Sequence, residues 1–207
     1  VNPGEEVITP DPAYPTYETA TKACGAVPVK VPLLEKNEFR IKAKDIKKAI
    51  TKKTRLIIIN SPNNPTGSVM TKQELDQVYK IAEQNNIYLF LDEVYSRMMY
   101  GETQFYSPSS NDKCIHTTLL VNGFSKAFAM TGWRLGIIIG PKEIIAKMGK
   151  KIDNPKSIYF WAFKNKIPVF CPAFMDGAIG DNCYFFNHDL KTKLVIDQIM
   201  DHHRLIE

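Results

Sequence analysis

Lys126 is the side chain whose position first suggests chemistry. It follows an apolar run, Thr117 to Val121, that reads as a buried strand, and it sits in Val121-Asn122-Gly123-Phe124-Ser125-Lys126-Ala127-Phe128-Ala129-Met130-Thr131-Gly132-Trp133-Arg134. A lysine amine can form a Schiff base with a carbonyl when a low-polarity pocket favours its neutral form. Ser125 precedes it and Arg134 follows eight positions later. These two could hold an anion beside the amine, since a guanidinium grips phosphate through a bidentate fork. An isolated Ser–Lys pair is more often solvated loop, so the rest of the chain has to decide.

Two further stretches follow apolar runs. Ser61-Pro62-Asn63-Asn64-Pro65-Thr66-Gly67 reads as a tight turn on backbone grounds alone. Asn64 could also donate an amide N–H to a ligand oxygen. Asp92-Glu93-Val94-Tyr95 ends the next run. Asp92 is either a cap or the ion partner of a protonated ring nitrogen, which would make a pyridinium a better electron sink. Tyr95 could hydrogen-bond a phenolic oxygen. Tyr14, in Pro12-Ala13-Tyr14-Pro15, is either a core aromatic at a helix start or a face for a flat ring to stack on.

The elements that must position these residues alternate along the chain. Strands are predicted over Glu5 to Thr9 (broken by Pro10-Asp11-Pro12), Val27 to Leu33, Leu56 to Asn60, Ile87 to Leu91, Thr117 to Val121 and Leu135 to Ile139. Helices are predicted over Tyr14 to Cys24, Ala43 to Thr51 and Thr71 to Asn85, the last capped by Thr71. Residues 101–113 read as loop. Alternation of this kind means an α/β fold with a mostly parallel sheet. Ligands of such sheets lie beyond the carboxyl ends of the strands, which is where Asn64, Asp92 and Lys126 fall.

Composition narrows the function classes. Apolar residues make up 44% and charged residues 24% of 207, an ordinary globular balance. The net charge of +5 is spread along the chain, so nucleic acid is not an expected partner. The four cysteines form no close pair and the four histidines show no ligand spacing, so neither disulfides nor a metal are expected. No apolar run approaches a membrane span and none reads as a signal peptide, so a cytoplasmic protein is expected.

Taken together, VNPGEEVITPDPAYPTY, SPNNPTG, LDEVYS and NGFSKAFAMTGWRLG resemble the class I/II aminotransferases, the fold-type-I enzymes that use pyridoxal 5′-phosphate. The likeness covers about residues 1–147, in family order. It implies that Lys126 forms the Schiff base and shuttles the substrate's α-proton. It implies that Asp92 pairs with the pyridine nitrogen and that Asn64 and Tyr95 bind the 3-hydroxyl oxygen. Ser125 and Arg134 would bind the phosphate, and Tyr14 would stack on the ring. Gly123 stands where other relatives carry a phosphate-binding serine. The activity implied is amino-group transfer between an amino acid and a 2-oxo acid. The family works as dimers, so a homodimer is expected. The resemblance also implies that a glycine-containing phosphate loop before Val1, and a C-terminal small domain with a carboxylate-gripping arginine, are missing. Truncation would then impair turnover, and a non-catalytic fragment or interaction module is the alternative.

The remainder resembles a second family. MGKKIDNPKSIYFWAFKNKIPVFCPAFMDGAIGDNCYFF, residues 148–186, is similar to deoxyhypusine synthase, and the likeness continues weakly to about Ile206. That resemblance implies NAD contact by Asp176 and a spermidine contact by Asp181; both aspartates also read as ordinary turn or cap residues. The expected organisation is therefore a partial aminotransferase large domain, 1–147, followed by a partial deoxyhypusine-synthase-like α/β segment, 148–207.

Overall fold

Leu56-Ile57-Ile58-Ile59 forms the middle of a six-stranded sheet in which both faces are covered. The computed structural model describes residues 1–131 and 136–152. Its elements in order are β1 (Glu6–Asp11), α1 (Thr16–Ala23), β2 (Val27–Pro32), α2 (Ala43–Ala49), β3 (Thr54–Asn60), α3 (Lys72–Gln84), β4 (Tyr88–Asp92), α4 (Ser109–Asp112), β5 (Thr118–Gly123), α5 (Phe124–Ala127), β6 (Gly136–Ile139) and α6 (Lys142–Ile152). The strand order is β2-β1-β3-β4-β5-β6. All neighbours are parallel except β5 and β6, which pair antiparallel.

The order reverses direction between β1 and β3. Right-handed crossovers on the two sides of such a reversal place their helices on opposite faces. The cores follow this rule. Ile8, Ile57, Ile59, Leu89 and Leu91 pack against Ile46 of α2 and Leu75, Val78 and Ala82 of α3. Val7 and Ile58, which point the other way, pack with Tyr17 of α1. Each fully buried isoleucine or leucine contributes roughly 1.5–3 kcal/mol. The continuous apolar run of β3 is thus explained by cover on both sides.

Helix α3 starts where expected. Thr71 Oγ1 accepts from Glu74 N–H and the Glu74 carboxylate accepts from Thr71 N–H, a reciprocal cap that satisfies two otherwise free donors. Several expectations need correction. Strand β1 runs through Pro10 to Asp11 instead of breaking there. It pairs with β2 along its whole length but with β3 only as far as Ile8, so the missing N–H of Pro10 removes no ladder bond. The loop over 101–113 contains α4, whose Asp112 carboxylate accepts the backbone N–H groups of Cys114, Thr117 and Thr118. Strand β4 starts at Tyr88, one residue later than expected.

Most of the segment expected to resemble deoxyhypusine synthase, from residue 153 on, lies outside the described residues. Among the described residues no helix is long and apolar enough to cross a membrane.

Candidate functional site

Parallel pairing brings the carboxyl ends of β1, β3, β4 and β5 to one edge of the sheet. Asn60 and Asp92 are register partners at the ends of β3 and β4, and Asp92 is opposite Val121 of β5. Asn60 ties this edge together: its Nδ2 donates to the Asp92 carbonyl at 3.0 Å, and its Oδ1 accepts from Asn64 N–H at 2.7 Å. The 61–70 loop is held by its own side chains as well. Asn63 Oδ1 accepts from the Thr66 hydroxyl at 2.9 Å, and Ser61 Oγ accepts from Met70 N–H at 3.0 Å. Gly67 adopts φ +71°, a left-handed conformation that glycine enters without strain. Turn residues and a free amide therefore coexist in this loop: Asn63, Thr66 and Gly67 build it, and Asn64 is left half-buried with its amide towards Tyr95 (Nδ2 to OH, 3.5 Å).

Asp92 uses its two oxygens differently. Oδ1 caps the following turn by accepting from Val94 N–H at 3.2 Å. Oδ2 accepts from the hydroxyl of Tyr17 at 2.5 Å. Burial raises the pKa of this carboxyl, and the Tyr17 hydroxyl and Val94 N–H pull it back down. The Tyr17 phenol is pushed far above its ordinary range by burial and by the facing carboxylate. Next in sequence, Glu93 is buried, and burial lifts its pKa to about 7. The hydroxyl of Ser107 opposes that rise and the charge of Asp92 adds to it.

Lys126 lies in α5, directly after β5. Its side chain is exposed rather than enclosed, and its Nζ stands 5.9 Å from the centre of the Tyr95 ring. Among the described residues this amine makes no hydrogen bond or ion pair. Tyr14 is 45% exposed and meets Tyr17 edge-on, with ring centres 5.7 Å apart. It is therefore not a core aromatic. Ser125 is half-buried in α5 beside Lys126. Asn64 and Tyr95 also border an open cleft of about 470 Å³, whose other walls include Pro62, Val69, Met98 and Tyr100. Asp92 and Lys126 do not line it. Arg134, Asp176 and Asp181 lie outside the described residues.

The structure thus joins Tyr14, Tyr17, Asp92, Asn60, Asn64, Tyr95 and Lys126 in one unbroken series of contacts. Tyr17 and Asn60 were not singled out from sequence. Tyr17 closes one quoted signature and Asn60 directly precedes another, and only their partners, 75 and 32 positions away, reveal them.

The family model for aminotransferase class I and II matches residues 1–155. The chain belongs to this family. The match runs past residue 147, into the stretch expected to resemble deoxyhypusine synthase. Among relatives of this aminotransferase chain, the aspartate aminotransferase of Pyrococcus abyssi is 47% identical over 147 residues, covering 71% of the chain and 38% of that protein. The aromatic-amino-acid aminotransferase 2 of Thermococcus litoralis is 44% identical over 144 residues, covering 70% of the chain and 37% of that protein. The aspartate aminotransferase of Thermus thermophilus, solved with maleate, superposes with a TM-score of 0.69 at 40% identity, covering 72% of the chain and 38% of that structure. The chain therefore spans less than two fifths of the length of these relatives.

Proposed function

We propose that the chain binds pyridoxal 5′-phosphate at this sheet edge and that the site serves amino-group transfer between an amino acid and a 2-oxo acid. The observation that carries the reading is the convergence of an exposed amine, Lys126, with Tyr95, Asn64 and the half-buried carboxylate of Asp92 at the ends of three neighbouring strands. The donor set fits the cofactor. Asp92 already accepts a hydrogen bond at each oxygen and faces the edge as a carboxylate, a natural partner for a protonated ring nitrogen. Asn64 and Tyr95 supply two donors close enough together to share one aryl oxygen.

When bound, the cofactor supplies an electron sink for charge developing at the substrate's α-carbon. The chain's own residues do the rest. The amine of Lys126 holds the cofactor and then carries a proton to and from the α-carbon. Asp92 keeps the proton on the ring nitrogen, and the Tyr17 hydroxyl keeps Asp92 ionised and oriented. Asn60 sets the distance between the Asp92 strand and the Asn64 loop. Ser125 and Arg134 would take the phosphate, and Tyr14 would cover one face of the ring. Cofactor binding and turnover are separate parts of this proposal. Turnover also needs a group for the substrate carboxylate, which none of these residues is assigned to supply.

The test is to add pyridoxal 5′-phosphate, record the visible spectrum, reduce with borohydride and map the adduct by mass spectrometry. A shifted absorption band and an adduct on Lys126 are expected, and Lys126→Ala should show neither. Identical spectra for wild type and Lys126→Ala would sink the proposal.

A further inference from the structure

The ladder between β4 and β5 ends at Asp92 and Val121, closed by one more backbone bond from Glu93 N–H to the Val121 carbonyl at 2.8 Å. Beyond it, among the described residues, no backbone bond ties the turn at 93–98 to the segment that carries Lys126. A side chain fills the gap. Asn122 Nδ2 donates to Ser96 Oγ at 3.1 Å, while Asn122 Oδ1 accepts from Gly123 N–H at 2.7 Å. Both ends of one amide are thus engaged, one on each segment. Ser96 adjoins Tyr95, and Asn122 precedes the helix that presents Lys126. One residue further along the turn, the Arg97 guanidinium lies 5.2 Å from the centre of the Phe128 ring, on the other side of Lys126 in sequence.

We infer that Asn122 is a positioning residue for Lys126: with Ser96 it clasps the Tyr95 turn to the lysine-bearing helix and sets where the amine stands relative to the Tyr95 ring. The inference rests on Lys126 being the amine that takes the cofactor. Asparagine suits the task because it offers a donor and an acceptor from a neutral group, adding no charge beside the amine. The clasp matters because misplacing a reacting group slows its reaction, by up to about a hundredfold for a displacement of about 1 Å. A strand end with no further ladder bonds is where such displacement arises.

The experiment compares wild type, Asn122→Ala, Ser96→Ala, the double alanine variant and Ser96→Thr. Each is treated with limiting pyridoxal 5′-phosphate and borohydride, and the labelling rate at Lys126 is read by mass spectrometry. Each alanine variant should label Lys126 about fivefold more slowly, the scale of one neutral hydrogen bond. The double variant should be no slower than either single, because the two side chains act as one unit. Ser96→Thr keeps the hydroxyl and should restore the wild-type rate. Amide hydrogen exchange without the aldehyde gives a second readout. Residues 93–98 and 122–128 should exchange faster in the alanine variants, with β3 unchanged. Wild-type rates in the variants, with wild type selective for Lys126, would overturn the clasp and leave the cofactor reading standing. Labelling scattered over many lysines in wild type would overturn both. Additive losses accompanied by faster exchange in β3 would mean general loosening and would also overturn the positioning role.

Discussion

The hydroxyl of Tyr17, in the first turn of α1, donates to Oδ2 of Asp92, at the end of β4, across 2.5 Å. The two residues are 75 positions apart in sequence. The contact links the helix on one face of the sheet to the carboxylate at its edge. It also stabilises the ionised form of a group that burial would otherwise drive towards neutrality.

Tyr17→Phe keeps the ring that packs with Val7 and Ile58 and removes only the donor. The folded protein should lose about 1–2 kcal/mol at neutral pH, because a half-buried carboxylate is left with one partner fewer. Without the hydroxyl the pKa of Asp92 rises further, so the deficit should grow as pH rises from acid to neutral. Denaturant melts at several pH values measure it; equal stability of variant and wild type at neutral pH would show that the bond contributes nothing.

Glu93 gives the opposite pH signature. Burial raises its folded pKa from an ordinary 4.5 to about 7, so the folded state binds the proton more tightly than the unfolded chain. Stability contributed by this group is full below 4.5 and is lost as pH rises through about 7. Glu93→Gln keeps a partner for Ser107 without the charge. It should match wild type in acid and exceed it above pH 7, by on the order of 3 kcal/mol. Parallel pH–stability curves for the two proteins would refute the assignment.

Thr71→Ala removes one half of the reciprocal cap on α3. The expected loss is about 1 kcal/mol, read as a lower denaturation midpoint with unchanged slope. Glu74→Ala should cost more, since that carboxylate also pairs with Lys42 at 2.7 Å and with Arg40 at 3.2 Å.

Gly140 follows β6 where Leu119 closes in. A Cβ placed there would stand 2.8 Å from Leu119 Cδ2 and 3.5 Å from Ile145 Cδ1. Gly140→Ala should destabilise by about 1–3 kcal/mol through overpacking, since Leu119 and Ile145 are both buried. In a Leu119→Ala background the same change should be nearly silent. An equal loss in both backgrounds would show that the clash is not with Leu119.

Much of the site was legible from local pattern. The run before Asn60, the turn chemistry of 61–67, the acid after β4 and the lysine after β5 are each short-range signals. Their common place at strand carboxyl ends follows once the sheet is parallel. The Thr71 cap was legible for the same reason, because both of its partners lie within three residues.

Pairings between distant positions were decided elsewhere. Nothing in PAYPTY says that Tyr17, rather than Tyr14, meets Asp92; the crossover that puts α1 on its own face of the sheet decides it. Asn60 reads as an ordinary strand end and Asn122 as the residue after one, until their amides are seen to reach Asp92 and Ser96. The extension of β1 through Pro10 depends on where β3 stops pairing, and the antiparallel seating of β6 depends on which neighbour it meets. By itself the sequence determined periodicity, caps and turns, because these are set by contacts within a few residues. Only the tertiary structure decided the partners at the sheet edge, because a hydrogen bond across tens of residues depends on the path of the chain between them.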